Sequence, residues 1–401
     1  MPVPSSGWQA RVLALLLLAA TLFGVWEAAL GENDFDGFHA GARALLDSGE
    51  FSTAKAVQRY PPSFQLLMLP FALLPLWLAG ALFTLLSLAA LADLPRRLEQ
   101  LSGVSLTQQS WAWWAVLPFT LDVLRLGQNG LVLLWLVVTG LLLLRRGGAV
   151  LGGALLTLAA LVKVLPLAFL FVPVVLRRGG RGLLGAALCT ALIVSAAALG
   201  PGLDESARAT QEWSQRSSAE QTPWALVSVG RSVRYNNQGL GVVLGRTFGE
   251  MGPPRKLAKG AVQLAALPMP VVWTLYGVCM LLAAVALLAA VIAAHRVDDP
   301  ARRGDASRAW SGLLAAGCCA VLLASPLVWT HYFLWLAPAL VFLHARPVLR
   351  RCAPALIWLG LALPQARGLG VHMWITFALL LLVTLELERR PAREALRPRS
   401  A

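Results

Sequence analysis

The chain has 401 residues, 58% of them hydrophobic and only 13% charged, with a mean hydropathy of +0.68. That balance places it among integral membrane proteins and excludes an ordinary soluble enzyme of two or three domains. The formal net charge of +14 does not point to nucleic acid, because all but four of the 34 basic residues are arginines, grouped in short clusters between apolar runs. Such clusters read as topology signals that face the cytoplasm and anionic lipid.

The first apolar run, 12–30, is long enough to cross a bilayer. "EAALG" at its end resembles a signal-peptidase site, but further spans follow, and the run is read as the first span. It closes on "GENDFDGFH", with three acids, Glu32, Asp34 and Asp36. Beyond it, Phe35, Phe38, Ala42, Leu45 and Leu46 recur at helical spacing and predict an amphipathic helix along the membrane surface. The next span is expected over 66–91.

Between Arg96/Arg97 and Arg145/Arg146 lies one apolar run, 111–144, interrupted by "DVLRLGQNG". A hairpin keeps both arginine pairs inside and puts Gln128 and Asn129 at an external tip. The run 149–176 is bounded in the same way and interrupted by "LVKVLP". Its arms are too short to cross a full hydrocarbon core, so a short or partly re-entrant hairpin is expected, with Lys163 at a protein-lined tip. A third hairpin covers 310–344 and turns at "SPLVWTHY", and single spans are expected over 183–200, 271–294, 354–367 and 371–387. The sum is an all-α integral membrane protein of about 12 transmembrane helices, with both termini cytoplasmic and two large external loops, 31–64 and 201–262.

No Cys-x-x-Cys or Cys/His spacing surrounds the five cysteines, so neither a disulfide framework nor a metal site is expected, and no cofactor. The polar clusters, by contrast, all fall on the external side, as the mouth of a site would. Asp34 has two readings: it caps the helix that follows, or it accepts a proton from an attacking hydroxyl. Asp36 is a second candidate for either role. Lys163 is the lysine inside an apolar hairpin, and it either snorkels or meets a phosphate. His331 and Tyr332, beside Trp329, suit a phosphate or sugar or belong to an aromatic belt. Gln128, Asn129, Asn237 and Gln238 have the uncharged donors and acceptors that read sugar hydroxyls, and loop solvation explains each of them equally well.

In order along the chain stand Asp-Phe, "RYPPSFQLLMLPFALLP", "GQNG", "LAALVKVLPLAFL", "NNQGL" and "SPLVWTHYFLWLAP". This order resembles the family 87 glycosyltransferases, membrane enzymes of the GT-C class typified by polyprenol-phosphate-mannose-dependent mannosyltransferases. The resemblance implies one GT-C-type domain over 1–401 that uses a polyprenyl-phosphate sugar donor, most readily mannose, and a lipid or glycan acceptor. It implies inversion at the outer face of the cytoplasmic membrane, with Asp34 as general base. Lys163 and His331 then lie near the donor phosphate, with Tyr332, Gln128 and Asn129 on the donor. Tyr60 shapes the start of the second span, and Asp36, Asn237 and Gln238 have acceptor or secondary roles. Here Lys163-Val164-Leu165-Pro166 stands where the family usually has Lys-Pro-x-Pro, and Phe38 and His39 stand where tyrosines are common. The competing function is a lipid or sugar transporter, which calls for inverted repeats and charged midplane helices; the sequence has no evident repeat.

Overall fold

The computed structural model describes residues 7–30, 33–53, 57, 59–175, 179–220, 237–250, 262–297 and 306–395. Glu32 lies outside them. Among the described residues the architecture is helical, with no strand and one isolated bridge between Gly249 and Leu267. The chain forms two compact units, one from 1–97, 117–174 and 178–225, the other from 98–116, 175–177 and 226–401.

The first unit begins with α1, Gly7–Leu30, and α2, Asp34–Ser48. The predicted amphipathic face of α2 is present: Phe35, Phe38, Ala42 and Leu45 are buried, whereas Leu46 is exposed. That face is turned onto α3, Pro62–Ala72, instead of onto lipid. Two aromatic groups fill the contact. Phe38 meets the edges of Tyr60 and Phe64, with ring centroids 5.0 Å apart in each pair, and Phe35 packs on Phe71 and Phe83.

The span expected over 66–91 is instead two helices, α3 and α4, Leu76–Ser102. Pro75 supplies no N–H, and the carbonyl of Leu74, freed by the break, accepts a hydrogen bond from His39 Nε2 at 2.9 Å. The break in 111–144 is where the sequence puts it. Helix α5, Leu106–Arg125, and α6, Gly130–Arg146, are bent by 118° about the "LGQN" tip. The run 149–176 becomes α7, Ala149–Val162, a 3₁₀ turn, Leu165–Leu170, and the short α8, Phe171–Val175.

Helix α9, Gly179–Leu199, crosses α7 at backbone contact, and α10, Leu203–Glu220, follows it. A Cβ on Gly153 would stand 1.9 Å from the Gly182 carbonyl oxygen, and one on Gly185 would stand 1.8 Å from that of Val150. In a bilayer, where lipid tails are as apolar as leucine, such close approach of small residues holds helices together through dispersion. The opposite flank of α9 exposes Leu183, Leu184, Leu188 and Leu192 to lipid.

The second unit is built on α13, Ala306–Ala324, which is buried from Ala309 to Leu323 between α12, Met269–Val297, and α17, Val371–Ala395. Around it stand α11, Leu240–Phe248, a 3₁₀ turn, Thr330–Leu336, α14, Ala337–Phe342, α15, Pro347–Ala362, and α16, Pro364–Gly368. Glu386 on α17 accepts from Arg308 at 2.7 Å and also from Arg346, which ties together the two ends of the predicted 310–344 hairpin.

Among the described residues five helices are long and apolar enough to cross a membrane, or six if α5 and α6 make one broken span. Among the described residues the expected 12 are not reached, and prolines and glycines divide several apolar runs there into helices shorter than a bilayer. The α7–α9 contact gives a direct test. Gly153→Ala or Gly185→Ala is expected to destabilise the protein by about 1–3 kcal/mol through overpacking, read as a lowered Tm in detergent. Gly180→Ala, where a Cβ meets nothing within 4 Å, is expected to leave Tm unchanged or raise it.

Candidate active site

Asn33, not Asp34, caps α2. Its side-chain oxygen accepts the N–H of Phe35 at 3.0 Å, and its amide donates to the Gly24 carbonyl of α1 at 3.1 Å. Asp34 is the first helical residue; its own N–H bonds the Leu126 carbonyl at 3.2 Å, and its side chain is exposed. The capping role is thus filled by a neighbour, and the Asp34 carboxylate stands free of it at the positive end of the helix dipole. Asp36, in the same turn, is partly buried.

One hydrogen bond links Asp34 to the "LGQNG" tip. Gln128 donates its Nε2 to Asp34 Oδ2, while its Oε1 accepts the Tyr60 hydroxyl at 3.1 Å. The orientation of the amide follows from chemistry, since an ionised carboxylate only accepts and must be offered the NH₂ group. Gln128 is buried, so both ends of its amide are fixed. The tip reaches α2 because Gly127 adopts φ +61° and has no Cβ, which would lie 2.7 Å from that of Phe35.

Lys163 joins the same group from α7. It is the C-cap of that helix, with extended backbone, and its Nζ stands over the Tyr60 ring, 4.9 Å from the centroid. Phe64 stacks on the Tyr60 ring with centroids 4.6 Å apart. Ser63 Oγ donates to the Leu161 carbonyl at 2.6 Å and so ties the end of α7 to the start of α3. The charges of Asp34 and Arg59 both act on the lysine ammonium, in opposite senses. Asn129, next to Gln128, is buried, and neither of its side-chain polar atoms has a hydrogen-bond partner among the described residues.

The remaining candidates belong to the second unit. His331 is buried on its 3₁₀ turn, edge-on to the Tyr332 ring at 4.7 Å. Asn237 and Gln238 have mainly internal partners. Asn237 Oδ1 accepts the N–H groups of Gly239 and Val328, and the Gln238 side chain donates to the Arg367 carbonyl at 2.9 Å. Asn237 and Gln238 are therefore a staple that joins the "SPLVW" segment to the corner at 367–368. Sequence reading missed its anchor, Arg246, which is 1% exposed and donates to the carbonyls of Gly368, Asn237 and Arg367 at 2.6, 2.7 and 2.9 Å. Burial pulls its pKa down to about 10, which leaves it charged at neutral pH. The available signal was a lone arginine in the apolar stretch "LGVVLGRTF".

The profile of glycosyltransferase family 87 matches residues 59–326, more than half of the chain. The chain belongs to this family. It is also 27% identical to a polyprenol-phosphate-mannose-dependent α-(1-2)-phosphatidylinositol mannoside mannosyltransferase of Mycolicibacterium smegmatis, over 94% of this chain and 83% of that protein. No solved structure matches. In this family 87 glycosyltransferase, Tyr60, Gln128, Asn129 and Lys163 fall inside the matched region, and Asp34 lies just ahead of it. Among the described residues no group of His, Cys, Asp or Glu side chains is arranged to hold a metal.

Tyr60→Phe tests the network without touching a charge. It removes the donor to a buried amide oxygen and is expected to cost about 1–3 kcal/mol, seen as a lower Tm in detergent. An unchanged Tm would mean that the bond contributes nothing.

Proposed function

We propose that the chain transfers a mannosyl residue from a polyprenyl-phosphate donor to a hydroxyl of a glycolipid or glycan acceptor at the outer face of the cytoplasmic membrane, working as one GT-C-type domain over 1–401. The observation that carries the proposal is the Asp34 carboxylate. It is exposed, relieved of capping by Asn33, and held through Gln128 and Tyr60 within the unit that contains Lys163. Family membership and the named relative support the reaction class and the donor.

In this reading the donor phosphate lies by the Lys163 ammonium, a compact charge suited to a phosphate, with Asn129 as a further donor contact. The acceptor oxygen attacks C1 of the sugar and its proton passes to Asp34. The bond from C1 to the phosphate oxygen breaks, and polyprenyl phosphate leaves with the electron pair. Attack opposite the leaving group inverts C1, so a β-linked donor yields an α-linked product. Gln128 is a positioning residue, because its amide is spent on the base and on Tyr60. Asp36 has no part in that network and serves the acceptor side, and Asn237 and Gln238 act through the staple they form.

Asp34→Asn is expected to fold and bind donor normally while losing at least about 10²–10⁴-fold in transfer, the range for a general base. Wild-type turnover in the purified variant would refute the assignment. Lys163→Ala is expected to raise the donor KM more than the acceptor KM; equal effects would remove the lysine from the donor phosphate.

A further inference from the structure

The head of α2 lies in a closed circuit of backbone contacts, and one side chain completes it. Helix α1 meets the end of α5 at Gly24, where a Cβ would stand 2.3 Å from the Leu124 carbonyl oxygen. Two residues on, the Leu126 carbonyl accepts the N–H of Asp34 at 3.2 Å. The Asn33 amide returns the circuit to α1: its Nδ2 donates to the Gly24 carbonyl at 3.1 Å, while its Oδ1 accepts the N–H of Phe35 at 3.0 Å. The same amide lies against Gly127 of the tip, its two polar atoms 3.2 and 3.3 Å from the point a Cβ would occupy there.

Two of the N–H groups that the first turn of a helix leaves unpaired are satisfied in this way, one by the tip and one by residue 33. The chemistry at 33 is restrictive. Aspartate caps a helix as well as asparagine does and suits the positive end of the dipole better, but a carboxylate only accepts and could not hold the Gly24 carbonyl. It would also put a second negative charge beside Asp34, and a like charge makes a carboxylate harder to ionise. Serine caps equally well without charge. Its single oxygen, on a shorter stem, would have to serve two backbones that the amide reaches with two atoms.

We propose that Asn33 is a positioning residue for the transfer, one that sets the Asp34 carboxylate at the head of α2 without adding charge beside it. The proposal rests on Asp34 being the base. Asp34 then stands between two side-chain amides: Gln128 holds its carboxylate, and Asn33 holds the backbone from which it projects. A tilt of α2 about that point moves the carboxylate relative to the acceptor oxygen, and a misplacement of about 1 Å at a reacting group can cost about 10²-fold in rate.

Asn33→Ser and Asn33→Asp decide the point in the purified full chain, with polyprenyl β-mannosyl phosphate as donor, a phosphatidylinositol mannoside as acceptor, and Asp34→Asn run in parallel. Both substitutes are good caps, so both proteins are expected to fold. Asn33→Ser is expected to lower kcat about fivefold to tenfold, the equivalent of one hydrogen bond, and to leave both KM values unchanged. Asn33→Asp is expected to lower kcat similarly and also to move the acid limb of kcat/KM upward by about one pH unit. Lys163, Arg59 and Asp36, and the Arg125 guanidinium near Glu27 and Asp122, keep their charges in both variants, so the limb reports residue 33. A purely structural cap would change Tm and leave the limb where it is. Wild-type kcat in Asn33→Ser, or an unmoved acid limb in Asn33→Asp, overturns the inference. Wild-type turnover in Asp34→Asn would instead overturn the assignment of the base on which it rests.

Discussion

The side-chain amide of Gln128 is the constraint on which the rest of the candidate site depends. It has two ends and two fixed partners, the Asp34 carboxylate and the Tyr60 hydroxyl, and it is buried where neither bond is easily exchanged for water. Through it, the tip of a broken helix, the start of an amphipathic helix and the proline-led start of α3 are held at one point. Lys163 is added by the Ser63 bond to the end of α7, so four separate stretches of chain meet around a single tyrosine. Asp34, Tyr60, Gln128 and Lys163 stand far apart in sequence, which is why the arrangement needs so many small devices, each local.

Those devices differ in how far the sequence discloses them. The apolar spacing of α2 announces both the helix and its buried face, because a 3.6-residue period is a property of sequence alone. Arg-bounded runs disclose the breaks at "LGQNG" and "LVKVLP", since topology limits where the chain can turn. The cap does not show in this way: Asn33 and Asp34 are equally good candidates, and only the path of α1 past Gly24 selects Asn33. The roles of the amides are hidden for the same reason. Gln128 and Gln238 look alike as polar loop residues, yet one holds a carboxylate and the other a backbone carbonyl of a distant corner. Hydrogen-bond partners far apart in sequence leave no trace in composition.

The count of spans shows a related gap. Hydropathy measures whether a run is apolar, not whether it is straight, and Pro75 and the 3₁₀ turn after Lys163 convert long apolar runs into short pieces. Irregular backbone at such places is tolerated only where protein or water covers it, and these are the places where the candidate side chains gather. Breaks in the helices and concentration of chemistry are thus two results of one requirement: polar groups must be delivered to the membrane surface by elements that begin or end there.

The reaction proposed for this frame has a stereochemical signature independent of any substitution. Purified protein is supplied with polyprenyl β-mannosyl phosphate and a phosphatidylinositol mannoside, and the product linkage is read by NMR together with the polyprenyl phosphate released. A single displacement driven by Asp34 requires an α-linked product and one polyprenyl phosphate released for each sugar transferred. A β-linked product, or release without transfer to the acceptor, would contradict it.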